Sequence, residues 1–148
     1  GGAGGSIGAR QVAKAEPNGY TILVNSSAYA TTPSLSASAG YTPEVELKTA
    51  VIAATGPNMV FGAPTLKVNT LKEVIELAKT EPLTFGSAGV GTTQHLSAEL
   101  LKLRTKTFVV HIPYRGTSPS LTGLPAHTNG GTKVFVRSPR SFSTTSTN

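Results

Sequence analysis

Residues 86–95 read Gly-Ser-Ala-Gly-Val-Gly-Thr-Thr-Gln-His. Glycines let backbone N–H groups come close to a ligand, and Ser87, Thr92 and Thr93 add hydroxyl donors beside Gly89 and Gly91. The helix-like run LSAELLK follows. A helix starting near Thr93 or Gln94 aims its unpaired N–H groups and positive dipole end at the loop. These are the parts of an anion cradle. The loop carries no charged side chain before His95, so it favours a small anion held by neutral donors, as a carboxylate can be. It is not a P-loop, because no Lys-Ser/Thr follows the last glycine, and its spacing fails the G-x-G-x-x-G dinucleotide pattern. A tight turn with Thr92 or Thr93 as an ordinary N-cap uses the same residues, and the loop alone leaves both readings open. A second stretch, PYRGTSPS (113–120), repeats the design with Tyr114, Gly116, Thr117 and Ser118 ahead of another helix start.

Catalytic chemistry finds less support. His95 is placed on the first turn of its helix and His111 inside a strand ending at Pro113. No acidic residue close in sequence is expected to orient either, so both read as structural histidines. Ser87 lacks a G-x-S-x-G elbow. The chain has no Cys and no Asp, which removes thiolate nucleophiles, Cys-based metal sites, Ser-His-Asp triads and most Mg²⁺ sites. The expectation is no catalytic residue, no metal and no cofactor.

The elements that must hold these loops follow from pattern. Residues 6–15 suit a short helix closed by Pro17-Asn18-Gly19, and TILVN (21–25) reads as a strand buried on both faces. SSAYATTPSL, with Ser26 and Ser27 at its head, suits a strand-to-helix loop that carries a binding function. Two further strands are expected near 49–54 and 58–62. LKVNTLKEVIELAKTEP gives the clearest helix, with Asn69 or Thr70 as N-cap and Leu71, Val74, Ile75 and Ala78 on one face. Residues 65–123 then alternate helix–strand–loop–helix–strand–loop–helix, the rhythm of a parallel α/β sheet with right-handed crossovers. Ligands in such sheets bind outside the carboxyl ends of the strands, where both Gly-rich loops fall.

Hydrophobic residues make up 38% of the 148, and charged residues 14%, against the usual ~25%. The net charge is +6, and from Lys102 onward there is no acid. The basic residues are scattered and no RNA-binding aromatic pattern accompanies them, so nucleic acid is not the expected partner. No apolar run approaches the ~20 residues of a membrane span. The opening GGAGGSIGAR has neither Met nor the apolar core of a signal peptide, so the chain is expected to be processed, trimmed or cut from a longer one. PAHTNGGTKVFVRSPRSFSTTSTN, which includes His127, loses the α/β rhythm; only VFV could be a strand. It resembles a disordered tail or an out-of-frame sequence.

GGAGGSIGARQVAKAEPNGYTILV, YTPEVELKTAVIAATGPNMVF, LKEVIELAK, LTFGSAGVGTTQHLSAELLK and VVHIPYRGTSPSLTGL, in that order, resemble the solute receptors of tripartite tricarboxylate transporters, the Bug family. The pairing of S-x-G-x-G-T-x-x-H-L with V-H-x-P-Y-[KR]-G carries the resemblance, which runs from Gly1 to about Leu124. It implies an α/β, type II periplasmic-binding-protein-like architecture with two lobes and mostly parallel sheets, incomplete here. Residues 1–62 would be a partial first lobe, 63–124 a partial second lobe, and 125–148 a divergent tail. It further implies a periplasmic, monomeric receptor, not an enzyme. Such a receptor captures a small carboxylate (a di- or tricarboxylate, an acidic amino acid or an aromatic acid) and delivers it to membrane transporter subunits. The site residues implied are Ser26 and Ser27 from the first lobe and Ser87, Ala88, Gly89, Gly91, Thr92, Thr93, Gln94, Tyr114 and Gly116 from the second. The alternatives are a basic nucleic-acid or surface-binding module, and a non-functional gene fragment.

Overall fold

Leu83, Phe85 and Ser87 are buried on one side of a five-residue strand while Gly86 between them is buried too. A strand buried this fully calls for helices on both faces of its sheet and for paired strands along both edges. In the computed structural model of the chain, which describes residues 3–63, 66–126 and 132–137, this strand (β2, Leu83–Ser87) has them. The sheet runs β1 (Met59–Gly62), β4 (Thr132–Arg137), β2, β3 (Val109–Pro113). β2 pairs in parallel with β3, Phe85 opposite His111, and with β4, Phe85 opposite Val134; β1 is antiparallel to β4. The fold is therefore α/β with a mostly parallel sheet. Residues 125–148 include β4; residues 127–131 with His127, and 138–148, lie outside the described residues.

Six helices accompany the sheet among the described residues: α1 (Ser6–Ala13), α2 (Ala28–Leu35), α3 (Pro43–Glu46), α4 (Leu71–Thr80), α5 (Thr93–Thr105) and α6 (Thr117–Ala126). α4 starts where its sequence says it should. Thr70 accepts from Glu73 N, and the Glu73 carboxylate returns to the Thr70 N–H, a reciprocal capping box. Its buried side is carried by Val74, Leu77 and Ala78, which pack with Leu66 and Leu83; Leu71, expected on that face, is 45% exposed. α5 covers the other part of β2 through Phe85 and Ala98. A separate cluster, Ala9, Ala39 and Tyr41 with Leu23 and Leu47, holds α1 to the segment after α2.

Two expected strands do not form a ladder. Residues 21–25 are extended but unassigned, with Ile22 and Val24 77% and 92% exposed. Residues 49–54 are likewise irregular, with Val51 and Ile52 exposed. Their β-branched composition fits a pleated, half-buried surface, but no described strand lies beside either.

Candidate functional site

The connections place the site. From β2 the chain crosses through α5 to β3 on one side, and from β3 through α6 back past β2 to β4 on the other. Right-handed crossovers running in opposite directions put α5 and α6 on opposite faces. The strand order thus reverses at β2, and the loops leaving the C-terminal ends of β2 and β3 depart towards opposite faces at the edge where ligands bind in such sheets. The loops there are Ala88–Thr92 and Tyr114–Gly116, tied together by the Tyr114 N–H donating to Ser87 O at 3.0 Å.

The first loop is folded by its own polar groups. The buried Ser87 Oγ accepts from Gly89 N at 3.1 Å and lies 3.1 Å from Gly89 O. The Thr92 hydroxyl donates to Gly89 O at 2.7 Å and accepts from His95 N, capping α5. Leu96 N bonds Thr92 O, so the first-turn amides free to meet a ligand are those of Thr93 and Gln94, which no helix can satisfy internally. Gln94 is itself buried and Thr93 partly so. Ala88 is half-buried and Val90 exposed, between the braced Gly89 and Gly91. In the second loop Tyr114 and Gly116 are partly buried. Nothing lies within 4 Å of a Cβ placed on Gly116, whose φ of 118° is what calls for glycine.

Beneath the loop, three rings stack. The His111 imidazole lies 4.6 Å from Phe85 and 4.1 Å from His95, with small interplanar angles. His111 Nε2 is 2.7 Å from Ser87 Oγ, and His95 Nδ1 accepts from Gly91 N at 3.3 Å. Burial, then the His95 neighbour, holds the His111 imidazole down to about 4. Burial also lowers His95, with Glu99 opposing and Lys102 adding to the shift. Both rings are thus neutral near pH 7. Glu99 Oε1 stands 3.9 Å from His95 Nε2, one helical turn along and beyond hydrogen-bond reach, while pairing with Lys102 at 2.9 Å. Of the expectation that no acidic residue close in sequence orients either histidine, the closeness is corrected: Glu99 lies beside His95 because residues four apart share a helix face, though no hydrogen bond joins them.

The side facing the first loop comes from the start of the chain. A 3-10 turn, Ala3–Gly5, wedges between Asn25 and the loop: a Cβ added to Gly4 would meet Val90 O at 2.7 Å, and one on Gly5 the Asn25 amide at 2.7 Å. From α2 the Thr31 hydroxyl donates to Gly91 O at 2.8 Å. Ser26 and Ser27, both exposed, precede α2, where Ser26 Oγ accepts from Ala28 N. A cavity of about 270 Å³ lies where these parts meet, lined by Ser6, Arg10, Thr32, Ser38, Val90 and Gly91 among others.

The structure therefore brings Ser87–Gln94, Tyr114 and Gly116 together at the C-terminal ends of β2 and β3 and sets α2, which follows Ser26–Ser27, against the first loop; of these residues Val90 and Gly91 line the cavity. The sequence pattern did not single out Gly4 and Gly5, nor Thr31, Arg10 and Asn58. Asn58 reaches α5 through its amide, 2.7 Å from Ser97 Oγ. The adjacent glycines, both at positive φ, were the available signal; the others carried none.

Known proteins resemble this arrangement. Residues 1–137 match the family described as "Tripartite tricarboxylate transporter family receptor". A "UPF0065 protein in tcbD-tcbE intergenic region" of Pseudomonas sp. (strain P51) is 35% identical over 127 residues, 84% of this chain and 38% of that protein. Among solved structures, "Structure of a periplasmic transporter" superposes with a TM-score of 0.85 at 30% identity, over 93% of this chain and 46% of that one. "R. palustris Rpa4515 with adipate" gives 0.82 at 29%, over 90% and 45%. The chain spans 38% of that relative and a little under half of each of these structures.

Proposed function

The chain belongs to the tripartite tricarboxylate transporter receptor family, and on that premise we propose that it forms part of a periplasmic solute-binding receptor that captures a small carboxylate for membrane transporter subunits. The carrying observation is the Ser87–Gln94 loop at the switch point, braced from inside and faced by the Ala3–Gly5 turn and α2. Two partial lobes, residues 1–62 and 63–124, would then supply the two walls of a cleft. Ser26 and Ser27 would face the ligand from one wall. The amides and side chains of Ala88, Thr93 and Gln94, with Tyr114 and Gly116, would face it from the other.

Ser87, Gly89, Gly91 and Thr92 support the ligand groups by fixing the loop, because their polar atoms already bond within it or to its neighbours. Neutral donors at a helix start favour a carboxylate over a polyphosphate, and Arg10 on the adjoining cavity wall adds one positive charge. That a relative's structure contains adipate supports a dicarboxylate of similar reach. Binding rather than turnover is the reading, since the chain lacks Asp and Cys and both described histidines are engaged with the loop.

The test is thermal unfolding of the 148-residue chain against adipate, citrate, glutamate and benzoate. A ligand at a hundred times its Kd should stabilise the folded chain by about 2.7 kcal/mol. A cooperatively unfolding chain that none of these acids stabilises would sink the proposal.

A further inference from the structure

His95 and His111 come from different elements, α5 and β3, yet each bonds one end of the same loop. His95 Nδ1 takes the Gly91 N–H at 3.3 Å, and His111 Nε2 meets Ser87 Oγ at 2.7 Å. The two rings share one stack at 4.1 Å. We infer that this stacked pair positions the Ser87–Gly91 loop and that protonation undoes its hold, so that a carboxylate kept there near neutral pH is released in acid. The release part rests on the carboxylate reading above; the positioning part does not.

The chemistry is in the lone pairs. Imidazole Nδ1 accepts a hydrogen bond only while unprotonated. On an imidazolium the Gly91 N–H would face another N–H, and the bond would become a repulsion between donors. At the other end, Ser87 Oγ accepts from Gly89 N and has one proton to give, to His111 Nε2 or to Gly89 O. A protonated His111 must donate, which turns the hydroxyl towards Gly89 O. Two cations stacked at 4.1 Å also repel, so charging both rings disfavours the arrangement further.

The surroundings do not offset the change. On α5, Glu99 favours a charged His95, but Lys102 shares that carboxylate at 2.9 Å and stands 5.7 Å over the Phe85 ring. β2 and α6 carry no ionisable residue. On β4, Lys133 is in register with Thr84 and Arg137 with Met59, not with Phe85. Arg10 lies across the loop on the cavity wall, and Arg115 is exposed beyond β3. The net setting holds both rings neutral, His111 most firmly.

The experiment follows the Gly89 and Gly91 amides and the histidine rings by NMR in the ligand-free 148-residue chain, from about pH 7.5 to about pH 4.5. The expected result is that the Gly91 amide shifts with the midpoint of the His95 ring, while the Gly89 amide, tied through Ser87 to His111, moves only towards the lower midpoint of that ring. His95→Asn places a non-titrating acceptor near the Nδ1 position, and should remove that step at Gly91. A Gly91 amide that stays still while the His95 ring titrates, or that keeps the same step in His95→Asn, overturns the inference. So does loss of the far-UV circular dichroism signal at that midpoint, since the amides would then report unfolding.

In a second arm, adipate should bind about tenfold more weakly at about pH 5 than at about pH 7.5, with a flatter profile in His95→Asn. Adipate bound equally at both pH values overturns the release. If no adipate binds at any pH, the carboxylate reading fails for this probe, and the positioning role is still decided by the glycine amides.

Discussion

The Thr31 hydroxyl donates to the Gly91 carbonyl at 2.8 Å across 60 residues of sequence. Thr31 stands on α2 and Gly91 in the loop between β2 and α5, so this bond is a direct link between α2 and that loop. Thr31→Val keeps the shape and removes the donor. It should destabilise the chain by about 1 kcal/mol, the net worth of one such bond, seen as a lower urea midpoint at unchanged m. On the carboxylate reading proposed above, binding should weaken with it, because the loop loses its tie to α2. An unchanged midpoint would mean α2 and the loop are not coupled through this contact.

Gly4 faces the same loop more tightly. Its φ is 63°, and an added Cβ would come within 2.7 Å of the Val90 carbonyl, a backbone atom that cannot swing aside. Gly19 has a similar φ of 84° but nothing within 4 Å. Gly19→Ala should therefore cost only the left-handed strain, about 1 kcal/mol. Gly4→Ala should cost clearly more, because it also pushes the Ala3–Gly5 turn off Val90. Thermal midpoints of the two variants separate strain from contact. Equal losses would show that the Gly4 approach contributes nothing.

Ser87→Ala tests the brace itself. The hydroxyl is wholly buried and serves Gly89 N and His111 Nε2. Its removal leaves the buried Gly89 N–H and the half-buried His111 ring without that partner, a loss of about 1–3 kcal/mol. The variant should also let the Gly89 amide exchange its hydrogen faster than in the parent. If exchange at Gly89 is unaltered, Ser87 does not hold the loop.

How far the sequence shows these features depends on how local their causes are. α4 is legible because its cap pair, Thr70 and Glu73, and its apolar face lie within one window. β2, β3 and the start of α5 are legible for the same reason, since strand composition and the Gly-Thr-Thr punctuation are contiguous. The pairing of His95 with His111 is not: it depends on β2 and β3 lying side by side in a given register, which places His111 opposite Phe85. Nor is the wedge of Gly4 against Val90, which needs residues 86 apart. Residues 21–25 show the reverse error. Their β-branched run signals a strand, but a strand needs a neighbour, and composition does not say whether one stands beside it.

Thr70→Ala should lower stability by about 1 kcal/mol through loss of the N-cap acceptor for Glu73 N. Glu73 adds a pH signature. Its carboxylate is held below the ordinary range, first by the Asn69 N–H, then by the amide and hydroxyl of Thr70. The ionised form therefore favours the fold: its contribution is complete above the ordinary value of 4.5 and fades as pH falls through the lowered one. Urea titrations at neutral and acid pH should show the gap between parent and Thr70→Ala narrowing in acid. A gap that stays constant would mean the two halves of the cap act independently.

His111 gives the opposite kind of group the same direction of pH dependence. Its folded value is near 4, against an ordinary 6.5, because burial and the stacked His95 disfavour the cation. The fold thus prefers the neutral ring, while the unfolded chain takes up the proton first as pH falls. The stability that follows from this preference is full above about 6.5 and is lost progressively as pH drops towards about 4, where the folded ring also charges. Unfolding midpoints measured across that window should decline in the parent. In His111→Gln, which has no proton to gain, the decline should be shallower even if the variant starts less stable. The slope is the diagnostic quantity, because a lost packing contact lowers every midpoint alike whereas a lost titration changes how they depend on pH. Parallel slopes in the two proteins would show that His111 is not held neutral by the fold.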